Sequence, residues 1–139
     1  MRRLTPQEVL DARPGATVLS LDFFDTLVTR SVAQPTHVFG EMERRLILDD
    51  GDSWKGFAQT RVTVEHELRV AVARDGSVRD ITHGEILENL QSHCGLSTEM
   101  VERIRDLECS LEIEMARTVP FGDEIARLAR DRGMKVIIV

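Results

Sequence analysis

The stretch TVLSLDFFDTLVTR, Thr17 to Arg30, decides the fold of this chain. Its residues Val18, Leu19 and Leu21 form an apolar run that is too short for an ordinary helix and predicts a buried strand. The run ends at Asp22. Strands of a parallel sheet are apolar nearly throughout, so a carboxylate at the carboxyl end of a strand emerges at the edge of the sheet. Open α/β sheets bind their ligands at that edge.

Two carboxylates and a hydroxyl follow the strand within one turn. They belong to Asp22, Asp25 and Thr26, which stand beside the apolar Phe23 and Phe24. Charges of one sign that crowd together raise the electrostatic self-energy unless a cation or a set of backbone donors offsets it. Asp and Thr are also common turn residues, so the stretch is compatible with a functional site and with an ordinary turn.

The sequence pattern of residues 33 to 118 is typical of helices and shows no strand. Apolar residues at helical spacing predict four amphipathic helices, at about 35–48, 53–74, 82–94 and 99–116. The third begins with the capping box Thr82-His83-Gly84-Glu85 and stops at Gly95. On the second helix, the ion-pairing residues Arg61, Glu65, Glu67 and Arg69 are expected on the outer side. Glu65 and His66 could touch a substrate, although polar faces of such helices usually face solvent.

At each end of the chain, the sequence predicts a helix followed by a strand. Thr5-Pro6-Gln7-Glu8 is a capping box with proline at the first helical position, and it predicts a short helix to about Ala12. A second helix is expected to begin at Gly122 and to end at Gly133. The apolar run Met134–Val139 then predicts another parallel strand, reached by a right-handed crossover.

Length and composition predict one folded core with room for a small second one, and argue against nucleic acid or membrane partners. The chain has 139 residues, of which 42% are hydrophobic and 30% charged, and its net charge is -6. It has no apolar run long enough to span a bilayer and no signal-peptide core after Met1. Cys94 and Cys109 show no disulfide or zinc spacing, even with His83 and His93 nearby. We therefore expect a cytoplasmic protein.

LDFFDTLVTR resembles the first motif of the haloacid dehalogenase (HAD) superfamily, in which a strand delivers a nucleophilic Asp and a Thr follows four positions later. Asp22 and Thr26 occupy those places. The chain is most similar to the uncharacterised bacterial HAD-like hydrolases whose first motif reads FDxFDTL, proteins often encoded with or fused to glycosyltransferases. Three further segments fit that group: FAQTRVTVEHELR, DITHGEIL and LECSLEIEMARTVPFGDEIARLARDRGMKVIIV.

The resemblance implies an α/β fold: a partial HAD-type Rossmann-like core of parallel strands with an inserted all-helical cap. Residues 1–32 and 119–139 would form the core and residues 33–118 the cap. Caps of this kind exclude water and select substrates. In the family, a Ser or Thr follows the second strand, and later segments supply a Lys and acidic metal ligands. The sequence ends at Val139, before them. We expect a truncated piece that is inactive alone, or one completed by self-association or by a missing C-terminal half at its exposed sheet edges.

The resemblance also implies a catalytic chemistry. Asp22 would be the nucleophile for a small phosphorylated substrate, and Mg2+ would bind the Asp22 carboxylate and the Phe24 backbone carbonyl. Thr26 would orient the loop or the nucleophile. HAD phosphatases usually carry their general acid and base where this chain has Phe24, so Asp25 is the remaining candidate for that role. Haloacid dehalogenases place an aromatic residue there, which keeps a metal-independent C–X hydrolase open. A non-catalytic accessory or interaction module is the third hypothesis.

Overall fold

A computed structural model describes residues 3 to 139, and the chain divides into two compact units. The first, here called the sheet unit, consists of Met1–Ser31 and Met115–Val139. The second, the helical unit, is Val32–Glu114. In the order of the chain, the helical unit is therefore an insertion between the two segments of the sheet unit.

The elements follow one another in the order helix, two strands, four helices, strand, helix and strand. They are α1 (Pro6–Asp11), β1 (Val18–Leu21), β2 (Val28–Arg30), α2 (His37–Asp50), α3 (Phe57–Arg74), α4 (His83–Cys94), α5 (Thr98–Met115), β3 (Ala116–Thr118), α6 (Pro120–Asp131) and β4 (Lys135–Ile138), with a short 3-10 turn at Asp52–Trp54 before α3. The protein thus has mixed α/β structure. Within residues 3–139, no helix combines the length and the apolar character that crossing a membrane requires.

Strands β1 and β4 form a two-stranded parallel sheet. Leu19 lies opposite Val136 and Leu21 opposite Ile138 in the register of the two strands. Helices α1 and α6 cover one face of this sheet, and the buried side chains between them are Leu10, Leu21, Ile125, Ala126 and Ala129. The expected parallel pairing of the two apolar runs is confirmed.

The other face of this sheet is open. Val18 is 47% exposed and Ile137 36% exposed, and both lie on the face opposite to the buried Leu21. The prediction that β1 is buried throughout is therefore wrong for this face. An apolar run alone does not say how many faces are covered, since that depends on how many helices pack on the sheet.

A second pair of strands was not predicted from the sequence. The three-residue strands β2 and β3 pair antiparallel, with Val28 opposite Thr118 and Arg30 opposite Ala116. The backbone N–H of Ser31 donates to the carbonyl of Met115 at 2.8 Å and extends the pairing. These hydrogen bonds join the two segments of the sheet unit where the helical unit leaves and rejoins it.

The helical unit has an apolar core that contains one buried ion pair. Its buried apolar side chains come from all four helices: Val38, Met42, Leu46, Phe57, Val64, Ile86, Leu87, Leu90, Val101, Ile104 and Leu111. Arg61 was expected on the outer side of its helix, but it is only 2% exposed. Its guanidinium donates two hydrogen bonds to Glu108, at 2.8 and 3.3 Å, and one to Glu65 at 2.8 Å. The His83 Nε2 also lies 3.3 Å from Glu108, without forming a hydrogen bond.

The helix ends follow the capping signals of the sequence. Thr5 with Glu8 and Thr82 with Glu85 both form complete capping boxes, as predicted. In each box the threonine hydroxyl accepts from a backbone N–H of the first turn, and the glutamate accepts from the threonine N–H, so two otherwise unpaired donors are satisfied. Gly95 ends α4 with a left-handed backbone, φ 64°.

The Glu85 capping box predicts sensitivity to acid. A hydrogen bond from Arg79, followed by those from the backbone and hydroxyl of Thr82, lowers the pKa of Glu85 from 4.5 to about 2. Because the pKa is lower in the folded state, the stabilisation is present above about pH 4.5 and is lost as the pH falls towards 2. We expect Glu85→Gln to reduce the fall in Tm between about pH 6 and about pH 3, since glutamine still accepts from Thr82 but carries no charge. Thermal unfolding followed by circular dichroism measures this fall, and an equal fall in both proteins would contradict the assignment.

Candidate active site

Asp22 lies one residue past the end of β1, and its side chain is exposed. The N–H of Val139 donates to the carbonyl of Leu21 at 2.9 Å, so the parallel pairing continues up to the residue before Asp22. The carboxyl ends of β1 and β4 therefore meet beside Asp22. Within the described chain, no hydrogen bond or ion pair engages the Asp22 carboxylate, which leaves both of its oxygens available to a substrate or a cation.

The loop after Asp22 is a tight turn held by backbone hydrogen bonds. The carbonyl of Phe23 accepts from the N–H groups of Leu27 and Val28, both at 3.0 Å. The N–H of Asp25 donates to the carbonyl of Val28 at 2.7 Å. Asp25 has φ 59°, a left-handed conformation that Asp and Asn adopt more easily than most residues with a side chain. The second carboxylate of the motif is thus placed by the backbone of the turn.

The Asp25 side chain is engaged by Thr29, a residue that the sequence analysis did not single out. The Thr29 hydroxyl donates to Asp25 Oδ1 at 3.2 Å. Thr29 belongs to β2 and stands four residues after Asp25. The two motif carboxylates therefore differ: Asp22 has no protein partner among the described residues, whereas Asp25 closes the turn onto the next strand.

Phe24 contacts a cation in the structure. The guanidinium carbon of Arg30 lies 3.9 Å from the centre of the Phe24 ring, and Phe23 packs edge-on against the same ring with centroids 5.0 Å apart. Phe24 remains 42% exposed. A cation over an aromatic face is attracted by the ring quadrupole, so Arg30 is fixed beside a loop that carries two carboxylates. The motif did not predict this contact, because the contact forms only when the loop turns back and brings Arg30 of β2 beside Phe24.

Thr26 is held by a close backbone contact with Gly122. The N–H of Val119 donates to the carbonyl of Leu27 at 2.8 Å, which brings the start of α6 against the loop. Gly122 is buried there, and a Cβ atom added to it would overlap the carbonyl oxygen of Thr26 and lie 2.9 Å from its carbonyl carbon. Only glycine allows this approach. Gly122 was predicted only as the start of a helix, and that helix in fact begins at Pro120.

Gly122→Ala is expected to destabilise the sheet unit. The added methyl group meets backbone atoms, which cannot rotate away, so the loop or α6 must shift. Forced overpacking of this kind costs about 1–3 kcal/mol or more. Urea unfolding measures the loss, and Gly15→Ala is the control because nothing lies within 4 Å of its added Cβ. Equal stabilities of the two variants would show that the contact with Thr26 is not required.

Two groups of the loop carry free oxygens of the kind that ligate a hard divalent cation. They are the Asp22 carboxylate and the Phe24 backbone carbonyl, neither of which accepts a hydrogen bond within the described residues. Mg2+ is commonly held by one or two carboxylates together with waters and substrate phosphates, and the donors of this loop are oxygens of that type. Residues 3–139 contain no group of three or more His, Cys, Asp or Glu side chains that could hold a metal by themselves.

The polar candidates of the helical unit have structural surroundings or are exposed. Glu65 accepts hydrogen bonds from Arg61 and Arg69, so it belongs to an ion-pair network. His66 and Cys94 are exposed, the latter as a free cysteine.

No protein-family model matches the chain, and no curated protein is similar to it. The loop of Asp22 is therefore interpreted from its own geometry and from the resemblance of its motif.

Proposed function

We propose that this chain carries the nucleophile of a HAD-type hydrolase, Asp22, which acts on a small phosphate ester through an aspartyl intermediate. One observation carries the proposal: an exposed carboxylate without a protein partner among the described residues follows β1 at the edge where two parallel strands end. Ligands of open α/β sheets bind at this edge. A carboxylate that only closed a turn would be expected to accept hydrogen bonds from it, as Asp25 does.

The reaction would proceed in two displacements. An Asp22 oxygen forms a bond to phosphorus while the bond from phosphorus to the alcohol oxygen breaks, and the leaving alkoxide takes up a proton. Water then attacks the acyl phosphate, releases inorganic phosphate and restores the carboxylate. Splitting one difficult hydrolysis into these two steps lowers the barrier of each.

The residues around Asp22 would divide the remaining tasks. Mg2+, if held by the Asp22 carboxylate and the Phe24 carbonyl, would screen the negative charge of the substrate. Thr26 would fix the loop, a role supported by the contact of its carbonyl with Gly122. Asp25 would serve in proton transfer to the leaving group. Its hydrogen bond from Thr29 supports a fixed position for the carboxyl group beside the loop.

A second candidate is a metal-independent hydrolase of the dehalogenase type. The exposed Phe24 favours it, because an aromatic residue stands where a phosphatase would carry a second Asp. In that reaction an Asp22 oxygen would displace halide from carbon and form an ester that water hydrolyses. The two free cysteines support a reducing compartment, the cytoplasm, for either activity.

Parallel assays separate the two candidates. Protein expressed from its complete reading frame is incubated with a panel of phosphate monoesters and with 2-haloacids, each with Mg2+ and with a chelator. The proposal predicts phosphate release that depends on Mg2+ and no halide release. Halide release that persists with the chelator would replace the proposal by its alternative, and the absence of both products would favour the non-catalytic hypothesis.

A further inference from the structure

The helical unit contains an apolar pocket that no step of the proposed reaction uses. Its volume is about 450 Å³, and it lies between the 3-10 turn, the start of α3, the end of α4 and the first turn of α5. The apolar part of its wall is made by Trp54, Phe57, Leu96 and Met100, with Cys94 at the end of α4. Pockets of 300–1,000 Å³ with mostly apolar and aromatic walls are typical sites for small molecules.

The aromatic wall of the pocket is preformed. Trp54 and Phe57 pack edge to face, with ring centroids 5.6 Å apart. Phe57 is buried, 5% exposed, whereas Trp54 is half-buried and turns part of its surface to the pocket. Such a pair offers a rigid apolar surface against which a planar ring can stack or pack edge-on.

The charged groups on the wall are already neutralised. Asp50 accepts from Arg103 at 2.6 Å, and Lys55 pairs with Asp52 at 2.7 Å. A charged ligand would have to separate one of these pairs or remain unpaired in an apolar site, which is costly. A neutral ligand avoids both of these costs. The exposed Ser53 hydroxyl is available to it for one hydrogen bond.

We propose that this pocket binds a neutral, largely apolar small molecule that contains an aromatic ring. The site lies wholly within the helical unit and is independent of the chemistry assigned to Asp22. Its ligand class follows from the paired charges and from the Trp54–Phe57 wall.

Trp54 allows a direct test, because it is the only tryptophan of the chain and lines the pocket. The probe is N-phenyl-1-naphthylamine, a neutral compound whose absorption overlaps tryptophan emission. We expect saturable energy transfer from Trp54 to the probe, and weaker binding, by about tenfold or more, of its sulfonated analogue 8-anilinonaphthalene-1-sulfonate. No energy transfer from Trp54, or equal affinity for both probes, would overturn the proposal.

A pair of lysine substitutions on α5 locates the binding. Met100→Lys places an ammonium on the pocket wall, and we expect it to lower the affinity for N-phenyl-1-naphthylamine by about tenfold or more. Asp106→Lys introduces the same side chain at an exposed position of the same helix that does not line the pocket, and should leave the affinity unchanged. Circular dichroism verifies that both variants keep the wild-type helix content. Equal affinities of the two folded variants would contradict the assignment.

The two cysteines give a readout that needs no substitution. Cys94 lines the pocket, and partial burial raises the pKa of its thiol, whereas Cys109 does not line the pocket; both cysteines are exposed to solvent. Saturating N-phenyl-1-naphthylamine should slow the alkylation of Cys94 by N-ethylmaleimide several-fold and leave that of Cys109 unchanged. Peptide mass spectrometry follows both sites in one sample. Slowing at neither site or at both to the same extent would place the probe elsewhere.

Discussion

Asp22→Asn is expected to lower phosphate-ester turnover by about four orders of magnitude or more, to the background of the assay. The amide has the size of the carboxylate but is not a competent nucleophile, so the covalent step is lost. Because Asp22 is exposed and makes no hydrogen bond within the described chain, the substitution should leave the fold intact. Steady-state kinetics with Mg2+ on protein from the complete reading frame, together with thermal unfolding, measures both effects.

Asp25→Asn is the matched control, since it makes the same chemical change three residues away. Asn tolerates the left-handed conformation at this position, and its side-chain oxygen can still accept from Thr29. We expect a smaller loss, of about 10²–10⁴-fold, which is the range of a lost general acid or base. Equal turnover by the wild type and Asp22→Asn would remove the proposed nucleophile, whatever Asp25→Asn does.

Arg61→Met is expected to destabilise the protein by about 3–5 kcal/mol, because it leaves the Glu108 carboxylate buried without its main partner. Glu108 is 8% exposed and accepts two of the three hydrogen bonds that the Arg61 guanidinium donates. The guanidinium also lies 4.5 Å from the centre of the Phe39 ring, and this contact is lost as well. Urea unfolding gives the free energy of unfolding, with the slope of the transition as a check on two-state behaviour.

Three further variants separate the buried pair from ordinary surface pairs: Arg69→Met, Glu108→Leu, and the double variant that completes the cycle with Arg61→Met. Arg69→Met removes an arginine from the same helix whose side chain is 51% exposed, and should cost less than about 1 kcal/mol. The double variant Arg61→Met/Glu108→Leu replaces both charges by apolar side chains, and should be more stable than the sum of the single losses predicts. The role of the buried pair would be contradicted if the losses in free energy of unfolding from the two single substitutions added exactly in the double variant. It would also be contradicted if Arg61→Met lost no more stability than Arg69→Met.

The sequence predicted those features whose causes are local. The capping boxes at Thr5 and Thr82 need only a side chain and the backbone three residues away. Gly133, predicted to end α6 in a left-handed conformation, has φ 75°. The parallel pairing of β1 with β4 was predicted because both apolar runs have the composition of strands in a parallel sheet.

Features that depend on distant partners were missed or misplaced. Arg61 was assigned to the surface because a charged residue beside Glu65 usually belongs to an exposed face, and its buried partner Glu108 lies two helices later. The three-residue strands β2 and β3 are too short to produce an alternating pattern.

At the candidate site, the motif predicted a carboxylate after the first strand, and Asp22 does lie there, exposed. Its partners could not be predicted in the same way. Thr29 reaches Asp25, and Arg30 covers Phe24, only because the chain turns tightly at Phe23 and Val28. The roles of these residues in catalysis stay predictions.

Trapping of the covalent intermediate tests the central proposal most directly. Protein from the complete reading frame is mixed with a phosphate monoester that it hydrolyses and with Mg2+, quenched with borohydride, digested and sequenced by mass spectrometry. Borohydride reduces an acyl phosphate to an alcohol, so the account predicts homoserine in place of Asp22 in the peptide that contains LDFFDTL, only when substrate is present. Homoserine at another carboxylate, or an unmodified Asp22 in protein that is turning over substrate, would contradict it.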